Sequence, residues 1–134
     1  MVKVIALSEA RAMNLPGRYS REIVGAAAGA KSATVRLVEI APEKTGERRR
    51  GPHLHIGFEE CIHVLEGEGV THTDAGAFGV RAGDTVLVPA GERHATYNTG
   101  PGTLRLLCFF PVSDVRSGTR EFESWDEQGG SGDA

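Results

Sequence analysis

From Thr34 onward this 134-residue chain is cut by glycine, proline and aspartate into short runs of β-branched and apolar residues, a pattern that suits strands and little else. Thr34-Val35-Arg36-Leu37-Val38-Glu39-Ile40 is the first run, ended by Pro42 and Gly46. Cys61 to Glu66 closes at Gly67-Glu68-Gly69, Val70 to Thr73 at Asp74-Ala75-Gly76, Ala77 to Val80 at Arg81-Ala82-Gly83-Asp84, and Thr85 to Val88 at Pro89-Ala90-Gly91. Ala95 to Asn98 and Thr103 to Phe110 complete the series, the latter apolar at most positions, as suits a strand covered on both faces. Turns at roughly ten-residue intervals argue for an all-β sandwich or barrel. The 18 glycines are what so many tight reversals require. Helix is expected only at the N-terminus, over Ser8 to Leu15 with Ser8 as its cap. Gln128 to Ala134 is glycine, serine and acid with nothing to bury, and is expected to be disordered.

Length and charge exclude several partners. A chain of 134 residues fits one domain with a core large enough to fold without staples. Eighteen acidic against fifteen basic residues leave no overall basic field to gather phosphate backbones or anionic lipids, so nucleic acid is not expected as a partner. The one basic cluster, Arg48-Arg49-Arg50, reads as a solvated face, with an anionic substrate group or an interface as the alternatives. No segment reaches the roughly 18 apolar residues of a membrane span, and Met1 to Ala10 lacks a charged-then-apolar secretory pattern. A soluble, cytoplasmic protein follows as the expectation. Cys61 and Cys108, each flanked by apolar residues, read as small buried hydrophobes.

The chemistry is concentrated in two blocks. His53 and His55 are two apart, so in an extended segment both rings project from one face as a chelating pair. Gly57 allows the chain to turn before a third donor arrives, and Glu59 and Glu60 compete for that place. If Glu60 faces the site, Ile62 and Val64 face the interior beside it and His63 points away; if Glu59 does, His63 is driven inward. An apolar interior favours Glu60. His94, beyond the Pro89-Ala90-Gly91 turn, can swing back over the same pocket. Three imidazoles and a carboxylate suit one divalent transition metal, iron(II), manganese, nickel, copper or zinc, with room for further ligands at a five- or six-coordinate ion. His63 and His72 read as ordinary polar residues.

The first block reads His53-x-His55-x4-Glu60-x6-Gly67 and the second Gly83-x5-Pro89-x-Gly91-x2-His94-x3-Asn98; together they resemble the two motifs of the cupin superfamily. The second matches at every defined position. The first departs once, because the family's leading glycine falls where this chain has Glu47, with Gly46 one residue early. The resemblance covers about residues 34 to 112 and implies a double-stranded β-helix, a jelly-roll barrel with the metal inside. It implies His53, His55, Glu60 and His94 as ligands and a structural role for Asn98. Residues 1–33 would then be an extension packing on the barrel, 34–112 the barrel itself, and 113–134 a C-terminal extension. The small single-domain form, with Ser20-Arg21-Glu22-Ile23-Val24 ahead of the barrel and Phe58-Glu59-Glu60-Cys61-Ile62 inside it, is similar to the cupins of aromatic polyketide pathways.

Fold alone does not give the reaction. One expectation is a metal-dependent enzyme on a phenol, enol or polyketide-like substrate, as a dioxygenase or as a non-redox cyclase or isomerase, with the metal as Lewis acid. The other is a binding module or sensor whose metal anchors the ligand or the barrel. His72, Thr96, Tyr97 and Arg36 are the side chains available as acid or base, and parity does not choose among them. Apolar strands and exposed sheet edges predict a homodimer.

Overall fold

In a computed structural model of the chain, which describes residues 1–128, two antiparallel sheets face each other. The strands are β1 (Arg11–Leu15), β2 (Arg18–Val24), β3 (Thr34–Ile40), β4 (His53–His55), β5 (Glu60–Glu66), β6 (Glu68–Thr73), β7 (Gly76–Arg81), β8 (Thr85–Val88), β9 (His94–Asn98), β10 (Leu104–Phe110) and β11 (Thr119–Glu121). One sheet runs β1-β2-β3-β10-β5-β8 and the other β11-β4-β9-β6-β7. This is the jelly-roll arrangement expected. Among the described residues, no helix is long and apolar enough to cross a membrane.

Strand parity divides each strand between the interior and the outside. On β5, Glu60, Ile62 and Val64 are buried while Cys61, His63 and Leu65 face away; on β10, Leu104, Leu106, Cys108 and Phe110 are buried. The interior thus has two ends. Val64, Leu104, Leu106 and Ile40 make an apolar end, where each fully buried side chain contributes about 2 kcal/mol. Histidines and Glu60 occupy the other. Cys108 is buried and Cys61 half-buried, both free, so only Cys108 matches the core reading in full.

The N-terminal segment corrects the helix expected over Ser8 to Leu15. Leu7–Glu9 forms a single 3-10 turn, and Arg11–Leu15 is a strand in register with β2, Arg11 opposite Glu22 and Leu15 opposite Arg18. Pro16 and Gly17 make the two-residue connection, with Gly17 at φ 69°, the conformation the second turn position demands. An isolated two-turn helix is marginal in water, and ladder bonds to β2, itself paired with β3, outweigh it. Of the segment expected to be disordered, only Gln128 lies within the described residues.

Asn98 ties the far end of β9 to two other segments. Its amide nitrogen donates to Ile40 O at 2.9 Å and Gly102 O at 2.7 Å, and its oxygen accepts from Gly100 N at 2.8 Å. The residue is buried, so losing it strands three backbone groups. Asn98→Ala is expected to lower unfolding free energy by about 2–4 kcal/mol in urea titration. Asn98→Asp, nearly the same shape but unable to donate, should cost at least as much. A smaller cost for Asn98→Asp than for Asn98→Ala would refute the donor role.

Candidate metal centre

Local geometry explains how four donors reach one point. β4 is extended, so His53 and His55 project from one face, and Gly57 at φ 85° turns the chain back toward β5. β5 opens with Glu60 inward, while Glu59 is exposed. His94 opens β9 directly opposite His53. One donor atom from each of His53, His55, Glu60 and His94 lies within 4.8 Å of the others. Atoms bound at roughly 2.1 Å to one ion lie up to roughly 4.2 Å apart, so small rotamer adjustments suffice to close on an ion. His63 points away, as parity required, and shares a 2.8 Å hydrogen bond with Thr85 Oγ1.

The hydrogen bonds assign the protons. Thr119 Oγ1 donates its proton to Val115 O at 2.7 Å, so at its 2.9 Å contact with His55 Nδ1 the imidazole is the donor. Glu92 O accepts from His94 Nδ1 at 3.0 Å. Neutral His55 and His94 therefore both turn an Nε2 lone pair toward Glu60 Oε1, at 3.1 and 3.0 Å. Three acceptors face one another across hydrogen-bonding distances, and a cation between them relieves the repulsion among all three at once. Protonating both rings would set two imidazolium ions, centroids 5.3 Å apart, against a single carboxylate in a buried site. One divalent cation meets the demand with all four donors, and the residues fit it.

Burial and charge set the same state. Burial first, and the neighbouring His94 second, push the His53 pKa well below the ordinary imidazole value, leaving it neutral as a ligand must be. Burial alone would raise Glu60, but positive charge on the side of His55 and His94 outweighs it and holds the carboxyl well below its ordinary range, so the carboxylate is ionised when a cation fills the gap. Burial pushes the Cys108 thiol well above its ordinary value, so it stays protonated beside Glu60. His55 is walled by Phe58, stacked at 5.2 Å, and by the edge of Phe110 at 5.1 Å.

Above the donors opens a cavity of about 940 Å³. Of the side chains considered as acid or base, Thr96 and Arg36 line it; Thr96 Oγ1 is already paired with Thr71 Oγ1 at 2.9 Å. Tyr97 and His72 belong to the outer face, where Trp125 Nε1 donates to Tyr97 Oη at 2.9 Å and His72 lies edge-on to the Tyr97 ring. Sequence reasoning missed Thr119, Arg18 and the inward turn of Arg50. Thr119 lies 64 residues from the histidine it orients and in no motif. Arg48 and Arg49 are exposed, Arg49 bonded to Glu43, but Arg50 enters the cavity wall.

Comparison with known proteins agrees with this fold. The chain is 39% identical over 57 residues to an oxalate-binding protein of Thermotoga maritima, a match spanning 42% of this chain and 47% of that protein, so less than half of the relative's length is covered. Its fold is similar to the polyketide cyclase RemF of Streptomyces resistomycificus, with TM-score 0.71 and 26% identity over 94% of this chain and 89% of that one. It is also similar in fold to the Streptomyces nucleoside dehydratase Pac13, with TM-score 0.75 and 16% identity over 92% of this chain and 93% of that one. A family model described as a cupin domain matches residues 36–110, more than half of the chain, and the chain belongs to the cupin family.

Proposed function

We propose that this cupin is a metal-dependent enzyme acting on a small oxygenated organic substrate, a phenol, enol or polyketide-like compound, by non-redox cyclisation or isomerisation. The observation that carries the reading is the proton assignment: two imidazoles with committed Nδ1 protons present lone pairs to a desolvated carboxylate on the floor of a ligand-sized cavity. A divalent transition metal held by His53, His55, Glu60 and His94 would supply Lewis-acid polarisation of a carbonyl or enolate oxygen. Likeness to a polyketide cyclase over most of both chains supports the non-redox version.

The chain's own residues do the rest. Thr119 and Glu92 hold the two rings in one tautomer, so no proton has to move before a ligand can bind. Phe58 and Phe110 keep water from the back of His55, and Val38, Ile40 and Ile62 give the cavity an apolar side for a ring or polyene. Arg36 puts a cation in the wall. A second reading, a binding module without turnover, draws on the likeness to an oxalate-binding protein. A homodimer belongs to the proposal as well: Leu87, Cys61, Phe109 and Val35 form one row across the outer face of the six-stranded sheet, with Leu87 60% and Phe109 42% exposed. Light scattering at micromolar concentration is expected to give twice the chain mass, and a monomer would contradict it.

Purified protein is expected to carry about one transition-metal ion per chain by elemental analysis. Absence of metal even after reconstitution would sink the enzyme reading. With metal loaded, a panel of phenolic, enolic and polyketide-like compounds should give product without oxygen consumption; oxygen uptake would select a dioxygenase instead, and neither would select the binding module. Glu60→Ala should deplete metal more than Glu59→Ala, and equal or reversed losses would refute the ligand choice. Thr119→Val keeps the side-chain shape but leaves His55 Nδ1–H without an acceptor, so metal affinity should fall about 10–100-fold with folding intact. Unchanged affinity in that variant would show that the hydrogen bond does not prepare the ligand.

A further inference from the structure

The cavity is lined by five arginines against four carboxylates, in a chain whose formal net charge is −3. Positive charge has therefore been gathered where the chain as a whole would not put it. Arg36 is satisfied: its guanidinium lies 3.4 Å from Glu22 Oε1 and over the Phe110 ring at 5.3 Å. Arg18 is less so. It donates to Pro16 O at 2.9 Å, while Glu121, half exposed, stands 3.6 Å away.

Arg50 has no carboxylate within ion-pair distance among the described residues. One Nη donates to Thr96 O, its face lies 5.2 Å from the centre of the Tyr97 ring, and its Nε is buried with no partner. Burial first, and the Arg18 charge second, lower its pKa to about 10, so it remains cationic at neutral pH. A buried guanidinium beside a second one, with no carboxylate paired to it, is costly unless an anion joins them. The fork geometry of guanidinium matches a planar carboxylate.

Position sets the two groups along one strand. Thr96, which anchors Arg50, is two residues along β9 from His94, roughly 7 Å along the strand. A small aromatic acid, with an oxygen at one end of the ring and a carboxylate at the other, reaches over a distance of that order. We propose that Arg50 and Arg18 form the carboxylate-binding pole of the cavity, and that the substrate is an oxygenated aromatic or polyketide-like acid whose phenol or enol oxygen meets the histidine end. The substrate class rests on the enzyme reading above; the anion pole does not.

Titration calorimetry with para-hydroxybenzoate and para-hydroxybenzamide separates the two. The acid is expected to bind the metal-loaded protein roughly ten-fold or more tightly than the amide. Arg50→Met should abolish that preference, Arg50→Lys should restore part of it, and Arg18→Met should reduce it, with thermal unfolding followed by circular dichroism to confirm the fold of each variant. Arg105→Met, which removes a cation paired with Glu39 outside the cavity lining, should leave the preference unchanged. Equal binding of acid and amide, no binding of either at millimolar concentration, or a preference untouched by both Arg50→Met and Arg18→Met would overturn the proposal. Repeating the titration on metal-stripped protein distinguishes the failures. A preference that survives stripping and still vanishes in Arg50→Met sustains the anion pole even where the enzyme reading has failed. A preference lost on stripping places the carboxylate on the metal and overturns it.

Discussion

Glu60 sits fully inside the barrel with its Oε1 about 3 Å from two imidazole nitrogens whose protons are committed elsewhere. In a low-dielectric interior such a meeting of lone pairs is repulsive, and a cation in the gap would relieve it. Other features of the barrel floor follow from that constraint. The Nδ1 protons must be anchored, so Thr119 comes from the C-terminal strand and Glu92 from the turn ahead of β9. Water must be kept from the rings, so Phe58 and Phe110 close the side on which His55 would otherwise be solvated. The neutral state of His53, enforced by burial and by His94, is the one a cation requires.

The barrel was legible because its signals are local. Apolar and β-branched runs such as Thr34–Ile40 and Thr103–Phe110, with glycine turns between them, are properties of neighbouring residues, and the strands formed nearly where those runs placed them, although Leu104–Phe110 buries alternate residues and leaves Phe109 42% exposed instead of being covered on both faces. The gathering of His53, His55, Glu60 and His94 at one point was legible for a similar reason. Two histidines at strand spacing and a carboxylate five positions on can be aligned by parity alone, and parity separated Glu60 from Glu59. The N-terminal strand was not legible, since Ser8 to Leu15 has an acceptable helix cap and its ladder partner lies across a Pro-Gly turn whose consequence depends on β3 being there to extend the pair.

Thr119 and Arg50 escaped notice for a different reason. A threonine near the end of the chain carries no sign that it will meet His55, and an arginine in a basic triplet reads as solvated, as Arg48 and Arg49 indeed are. What turns Arg50 inward is tertiary. Gly51 lets the backbone pass against the Phe122 carbonyl, which any Cβ there would overlap. Phe122 N donates to Pro52 O at 2.9 Å, and Tyr97 Oη donates to Arg50 O at 2.8 Å. With the backbone pinned on both sides, the side chain has only the cavity to enter.

This divides the molecule's chemistry by segment. The donors and their turns lie within 53–98, inside the span that matches the family model, whereas Arg18, Glu22 and Glu121 come from β2 and β11, outside it. The barrel motifs determine where a cation is demanded, because that demand arises from side chains on facing strands of a closed fold. The terminal strands act on both: β2 and β11 add charge to the cavity wall through Arg18, Glu22 and Glu121, while Thr119 of β11 also orients His55. Barrels with the same donor set can therefore differ in the molecules they accept through changes at the two chain ends, provided the Thr119 contact to His55 is kept.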